Sequence, residues 1–92
     1  MKYMVDAQIA HFARKLKVKG IDCETVHMRM KGNEHSEAEI HDDEIVEFLK
    51  KAGGTITLIT VDKDFVEDCR IANVPCIPVW DAVAEYIMKR IV

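Results

Sequence analysis

The sequence predicts a three-layer α/β/α sandwich around a small, mainly parallel four-stranded sheet, and three observations carry that expectation. Short β-like runs alternate with helical patterns in the order β-α-β-α-β-(α)-β-α, and parallel neighbours need a helix in the crossover between them. The run Thr55-Ile56-Thr57-Leu58-Ile59-Thr60-Val61 is β-branched and almost continuously apolar, as a strand covered on both faces should be. Ninety-two residues, 49% of them hydrophobic, supply enough apolar matter for one core and a single domain spanning 1–92.

Each element has a local reason. Tyr3-Met4-Val5 is an apolar run that stops at Asp6. Ile9, Phe12, Ala13 and Leu16 then recur at helical spacing with Arg14, Lys15 and Lys17 between them, and Gly20 is a stop signal. Thr25 to Met30 alternates, with Val26, Met28 and Met30 on one side and His27 and Arg29 on the other, which predicts a strand ending at the turn Lys31-Gly32-Asn33. Ser36-Glu37-Ala38-Glu39 fits a capping-box pattern. A helix is expected from about Asp42 to Ala52, striped by Ile45, Val46, Phe48 and Leu49 and ended by Gly53-Gly54. A short helical segment after Asp64 leads to a strand over Val74 to Trp80, which Pro75 and Pro78 assign to the sheet edge. Asp81 to Ile91 reads as a closing helix with Val83, Ala84, Ile87, Met88 and Ile91 on one face.

Composition narrows the class. Mean hydropathy is -0.07, the longest apolar stretches run only a few residues, and the start of the chain is not a secretory signal. Cys23, Cys69 and Cys76 are odd in number and scattered, so buried thiols in a cytoplasmic protein are expected rather than a disulfide framework. The net charge of -3 conceals a division: Glu34 to Glu47 holds seven acids and no Lys or Arg, while the remainder is net basic. The overall charge therefore does not exclude a polyanionic substrate.

The acids fall where open parallel sheets do chemistry, outside the carboxyl ends of the strands. Asp6 ends the first strand, Asp62 the third, Asp64 follows, and Asp42 or Asp43 opens the preceding helix. Carboxylates converging on one rim, with only Lys63 interleaved, call for a hard divalent cation such as Mg²⁺ or Mn²⁺. Such an ion activates water and neutralises charge on a phosphodiester under attack. Each acid also has a plainer reading as a helix cap, most readily Asp64, while Asp43, Glu44 and Glu47 read as a solvated helix face.

These residues resemble the PIN-like superfamily of metal-dependent ribonucleases, and its short toxin-type members most. The matching pieces are Tyr3-Met4-Val5-Asp6-Ala7, the amphipathic helix ending near Gly20, Asp42-Asp43-Glu44-Ile45-Val46-Glu47-Phe48, and Leu58-Ile59-Thr60-Val61-Asp62-Lys63-Asp64-Phe65. The last is similar to the family's T-x-D-x-D-F signature, and agreement runs in order over roughly residues 2 to 79. The resemblance implies that Asp6, Asp42, Asp62 and Asp64 bind metal and carry catalysis, with Asp42 preferred to Asp43 by a D-x-x-I pattern. Larger members have an extra strand and an additional acid after the second strand, for which Glu34, Glu37 and Glu39 stay open. Arg14, Lys15 and Lys17, with Lys63, are candidate phosphate contacts, against the default of solvated cations.

Other constellations fit less well. Val61-Asp62-Lys63-Asp64 resembles the D-x-D motif of haloacid-dehalogenase-type phosphatases, but too little chain follows it. A receiver domain needs an acidic pair after the first strand. Cys23, His27, His35 and His41 match no compact zinc spacing, and Trp80 and Tyr86 read as packing aromatics. The expectation is a Mg²⁺- or Mn²⁺-dependent endoribonuclease, the toxin of a toxin-antitoxin pair, with RNA as substrate. The alternative is an inactive PIN-like interaction module working through an antitoxin-like protein or a homodimer.

Overall fold

Four parallel strands make the sheet, in the order β2-β1-β3-β4. The computed structural model describes residues 2–79 and Arg90, so the expected helix over Asp81 to Ile91, and Trp80 and Tyr86, lie outside the described residues. Strands are β1 (Lys2–Val5), β2 (Cys23–Thr25), β3 (Ile56–Thr60) and β4 (Cys76–Pro78). Helices are α1 (Ala10–Val18), preceded by a 3-10 turn over Ala7–Ile9, then α2 (Val26–Lys31), α3 (Asp42–Lys51) and α4 (Lys63–Ala72). Among the described residues no helix is long and apolar enough to cross a membrane.

The pleat divides the interior into two cores. Met4 and Leu58 point to one face, where they meet Val26, Ile45, Leu49, Phe65 and Cys69 from α2, α3 and α4. Val5 and Ile59, one residue further on, point to the other face and meet Ala13, Phe12 and Leu16 of α1. All five residues of β3 are buried, as a central strand between helical layers requires. β4 is the edge strand, as the two prolines predict, and Pro78 stands opposite Thr60 where the ladder ends.

The second strand is the clearest difference from the sequence expectation. It occupies Cys23–Thr25, and Val26 to Lys31 is helical rather than extended. Thr25 is the reason: its Oγ1 accepts a hydrogen bond from the Met28 backbone N–H at 3.2 Å and caps α2. Gly32, at φ 71°, closes the same helix in the left-handed conformation. The alternation of Val26, Met28 and Met30 is thus incidental. Val26 is buried and Met30 partly so, one turn apart, while Met28 is 41% exposed between them.

Two smaller expectations also change. The capping-box pattern at Ser36 starts no helix; Ser36 Oγ instead accepts from Ala38 N–H at 3.2 Å in a local turn. The segment after Asp64 is a full ten-residue helix that begins at Lys63, because Asp62 rather than Asp64 caps it. Asp62 Oδ1 accepts from the N–H groups of Asp64 at 3.0 Å and Phe65 at 3.2 Å.

Candidate functional site

The strand order puts the first and third strands side by side. From β1 the chain steps to β2 on one side and then returns across to β3 on the other. The crossover reverses between β1 and β3, which makes their carboxyl ends the switch point at which open α/β sheets hold ligands. Asp6 and Asp62 emerge there. Asp6 N–H donates to Ile59 O at 3.0 Å, which locks the end of β1 against β3.

Thr60 binds the two acids into one unit. Its side chain is completely buried; Oγ1 donates to Asp6 Oδ2 at 2.8 Å and accepts from the Asp62 backbone N–H at 3.2 Å. Asp6 Oδ1 accepts from Ala7 N–H at 2.8 Å and so starts the 3-10 turn. Asp6 and Asp62 therefore both perform the capping role that competed with the metal reading. Capping leaves lone pairs on both carboxylates, so the two roles are compatible.

Asp42 joins them from the first turn of α3. Partial burial pushes its carboxyl above the ordinary carboxylate range, and the charges of Asp62, Asp6, Asp68 and Asp43 push the same way, in that order. Asp42 thus senses both strand-end acids across the rim. Asp68 is a member that sequence reasoning missed. It lies one turn beyond Asp64 on α4 and shares with Asp42, Asp43, Val46, Glu47 and Ile71 a groove of about 220 Å³ between α3 and α4. Its spacing in the amphipathic α4 was the available signal. Asp64 is exposed at the second position of α4.

The other candidates are placed as follows. Glu34 pairs with Arg14 at 3.6 Å, and Glu39 stands 3.9 Å from His41. Lys17 is held by Glu24 at 2.8 Å, and this hydrogen bond raises its ammonium group above the ordinary value. Lys15 and Lys63 are exposed. α1 leaves the rim at Asp6 and runs back along the sheet, each residue about 1.5 Å further away. Lys63, next to Asp62, is the cation of the four that adjoins the rim acids in the chain.

The donors are all carboxylate and hydroxyl oxygen, which suits a hard divalent cation. Among the described residues no three His, Cys, Asp or Glu side chains come close enough to hold one ion together. Asp6 and Asp62, joined through Thr60, are the two carboxylates at the strand ends. The set does not fit an ion enclosed by protein ligands.

Fold and rim together define an open parallel α/β protein with an acidic switch point. No family model matches the chain, and no curated protein or solved structure matches it.

Proposed function

We propose that this chain is a PIN-like, divalent-metal-dependent endoribonuclease whose site is the rim between β1 and β3. The observation that carries the reading is the placement of Asp6 and Asp62 at that switch point, joined through the buried Thr60 hydroxyl. Like charges held together by the fold are relieved by a cation, and phosphodiester hydrolysis is chemistry that a hydrated divalent cation assists. The bound ion would lower the pKa of a water and neutralise charge on the phosphate. Asp6 and Asp62 hold it, Asp6 being oriented by Thr60 and Asp62 by the start of α4. Asp42, with its raised carboxyl, orients the attacking water or accepts its proton. Lys63 and Lys15 attract the RNA backbone without reading its sequence. Asp64 has no assigned role beyond the negative field of α4.

The test is incubation of purified protein with RNA and Mn²⁺ or Mg²⁺, with and without EDTA, beside the variants Asp6→Asn and Asp62→Asn. Cleavage should require metal and disappear in both variants. Cleavage undiminished in both variants comes from a contaminant and ends the proposal.

A second reading, an inactive interaction module of the same fold, is favoured by the capping duties of Asp6 and Asp62. It is preferred if calorimetry finds no Mg²⁺ or Mn²⁺ binding while the chain forms a tight complex with an antitoxin-like protein or with itself.

A further inference from the structure

Two of the three cysteines meet at the other end of α4. Asn73, at φ 57°, turns the chain at the end of the helix, and Val74 N–H donates back to Cys69 O at 3.0 Å. Leu58 N–H then donates to Pro75 O at 3.1 Å, which draws the chain into β4 beside β3. This return path packs Cys76 against the core cluster that holds Cys69.

The pair is asymmetric. Cys69 is 0% exposed within the α3/α4 core, whereas Cys76 is half-buried on the edge strand. Cys76 also lines a surface depression of about 300 Å³ with Val66, Arg70, Asn73, Val74 and Pro78. Cys76 is the sulfur of the pair that small solutes can reach. Cys23 provides a contrast: it is buried in the opposite core, and burial raises its thiol.

We propose that Cys69 and Cys76 form an oxidisable dithiol site that closes to an intramolecular disulfide on reaction with a peroxide. The Cys76 thiolate attacks a peroxide oxygen and the O–O bond breaks. Cys76 becomes a sulfenic acid, and the departing hydroxide takes up a proton to leave as water. Cys69 Sγ then attacks Cys76 Sγ: the S–S bond forms, the S–O bond breaks, and the Cys69 proton leaves with the hydroxyl as a second water. Two thiols and one hydrogen peroxide give one disulfide and two waters. The site stands on the α4–β4 return alone and does not depend on the nuclease reading.

The experiment uses the native chain treated with limiting hydrogen peroxide, then alkylated, digested with trypsin without reduction and mapped by mass spectrometry. Trypsin cuts after Lys63, Arg70 and Lys89, so Cys69 and Cys76 fall in separate peptides, 64–70 and 71–89. The expected result is a linked pair of these peptides lacking two hydrogens, separated again by dithiothreitol, with Cys23 alkylated as a free thiol. Cys69→Ser should stop at a Cys76 sulfenic acid that dimedone traps, and Cys76→Ser should yield no linked peptide. Cys76 oxidised to sulfinic acid with Cys69 still a free thiol would overturn the proposal. A linkage to Cys23 or between chains would overturn it as well. The wild-type map decides the question even where a variant folds poorly.

Discussion

Thr60→Val is the most informative single change, because it is nearly isosteric and deletes one hydroxyl. That hydroxyl is buried, donates to the Asp6 carboxylate at 2.8 Å and accepts the Asp62 N–H at 3.2 Å. A hydrogen bond to a charged group is worth about 1.5–3 kcal/mol, and an N–H left without an acceptor costs about 1–3 kcal/mol. Asp62 N–H is only partly buried, so water recovers some of the second loss, and a total of about 2–4 kcal/mol is expected. Total stability at this length is about 5–14 kcal/mol, so the variant folds but loses a large fraction. With a urea m-value of about 1–1.5 kcal/mol per molar, the midpoint falls by roughly 1.3–4 M. Thr60→Ser keeps the hydroxyl and deletes a buried methyl, which costs about 1 kcal/mol. Urea titrations of the three proteins at neutral pH measure the difference. If Thr60→Val is no less stable than Thr60→Ser, the hydroxyl does not bind the rim together and the positioning argument fails.

Four further outcomes follow from the same geometry. Asp62→Asn retains the side-chain oxygen that caps α4 and should stay within a few tenths of a kcal/mol of wild type, whereas Asp62→Ala should lose about 1 kcal/mol, both read by urea unfolding. Asp42 ionises at higher pH folded than unfolded, so its contribution to stability falls as pH rises from about 4 through its raised native value. Asp42→Asn should therefore raise Tm at pH 7 and give no gain near pH 3. The gain stays under about 1 kcal/mol, because Asp42 is exposed and the start of α3 favours a negative charge. Gly32→Ala should cost about 1–2 kcal/mol through its positive φ alone, since nothing lies within 4 Å of an added Cβ; a neutral result in urea would contradict the helical reading of α2. Under the proposed function, Mg²⁺ at ten times its Kd should add about 1.4 kcal/mol, a Tm rise of about 6–10 °C that Asp6→Asn abolishes.

Much of the architecture is legible from local pattern. β3 is β-branched and mostly apolar because it is buried on both faces, and α3 carries its stripe because only one side meets the sheet. The misreading of Val26 to Lys31 shows the limit. Over six residues an alternating pattern and a short capped helix share the same apolar positions. The deciding contacts are the Thr25 cap and the left-handed Gly32. The site was legible in part for the same reason. Asp6 and Asp62 stand at strand ends and Asp42 at a helix start, all readable in the chain, whereas Asp68 lies inside a helix and shares a groove with Asp42 only because α3 and α4 pack together.

By itself, then, the sequence determined the alternation of strands and helices, the edge character of β4 and the places where acids interrupt apolar runs. Hydrophobic periodicity encodes these, and it acts over a few residues. Only the tertiary structure decided that β1 lies between β2 and β3, so that residues 54 positions apart meet in the Thr60–Asp6 hydrogen bond. It also decided that Cys76 packs against the core that holds Cys69 across the α4–β4 return. Strand order is set by which buried faces pack best over the whole chain, and no local stretch carries that information.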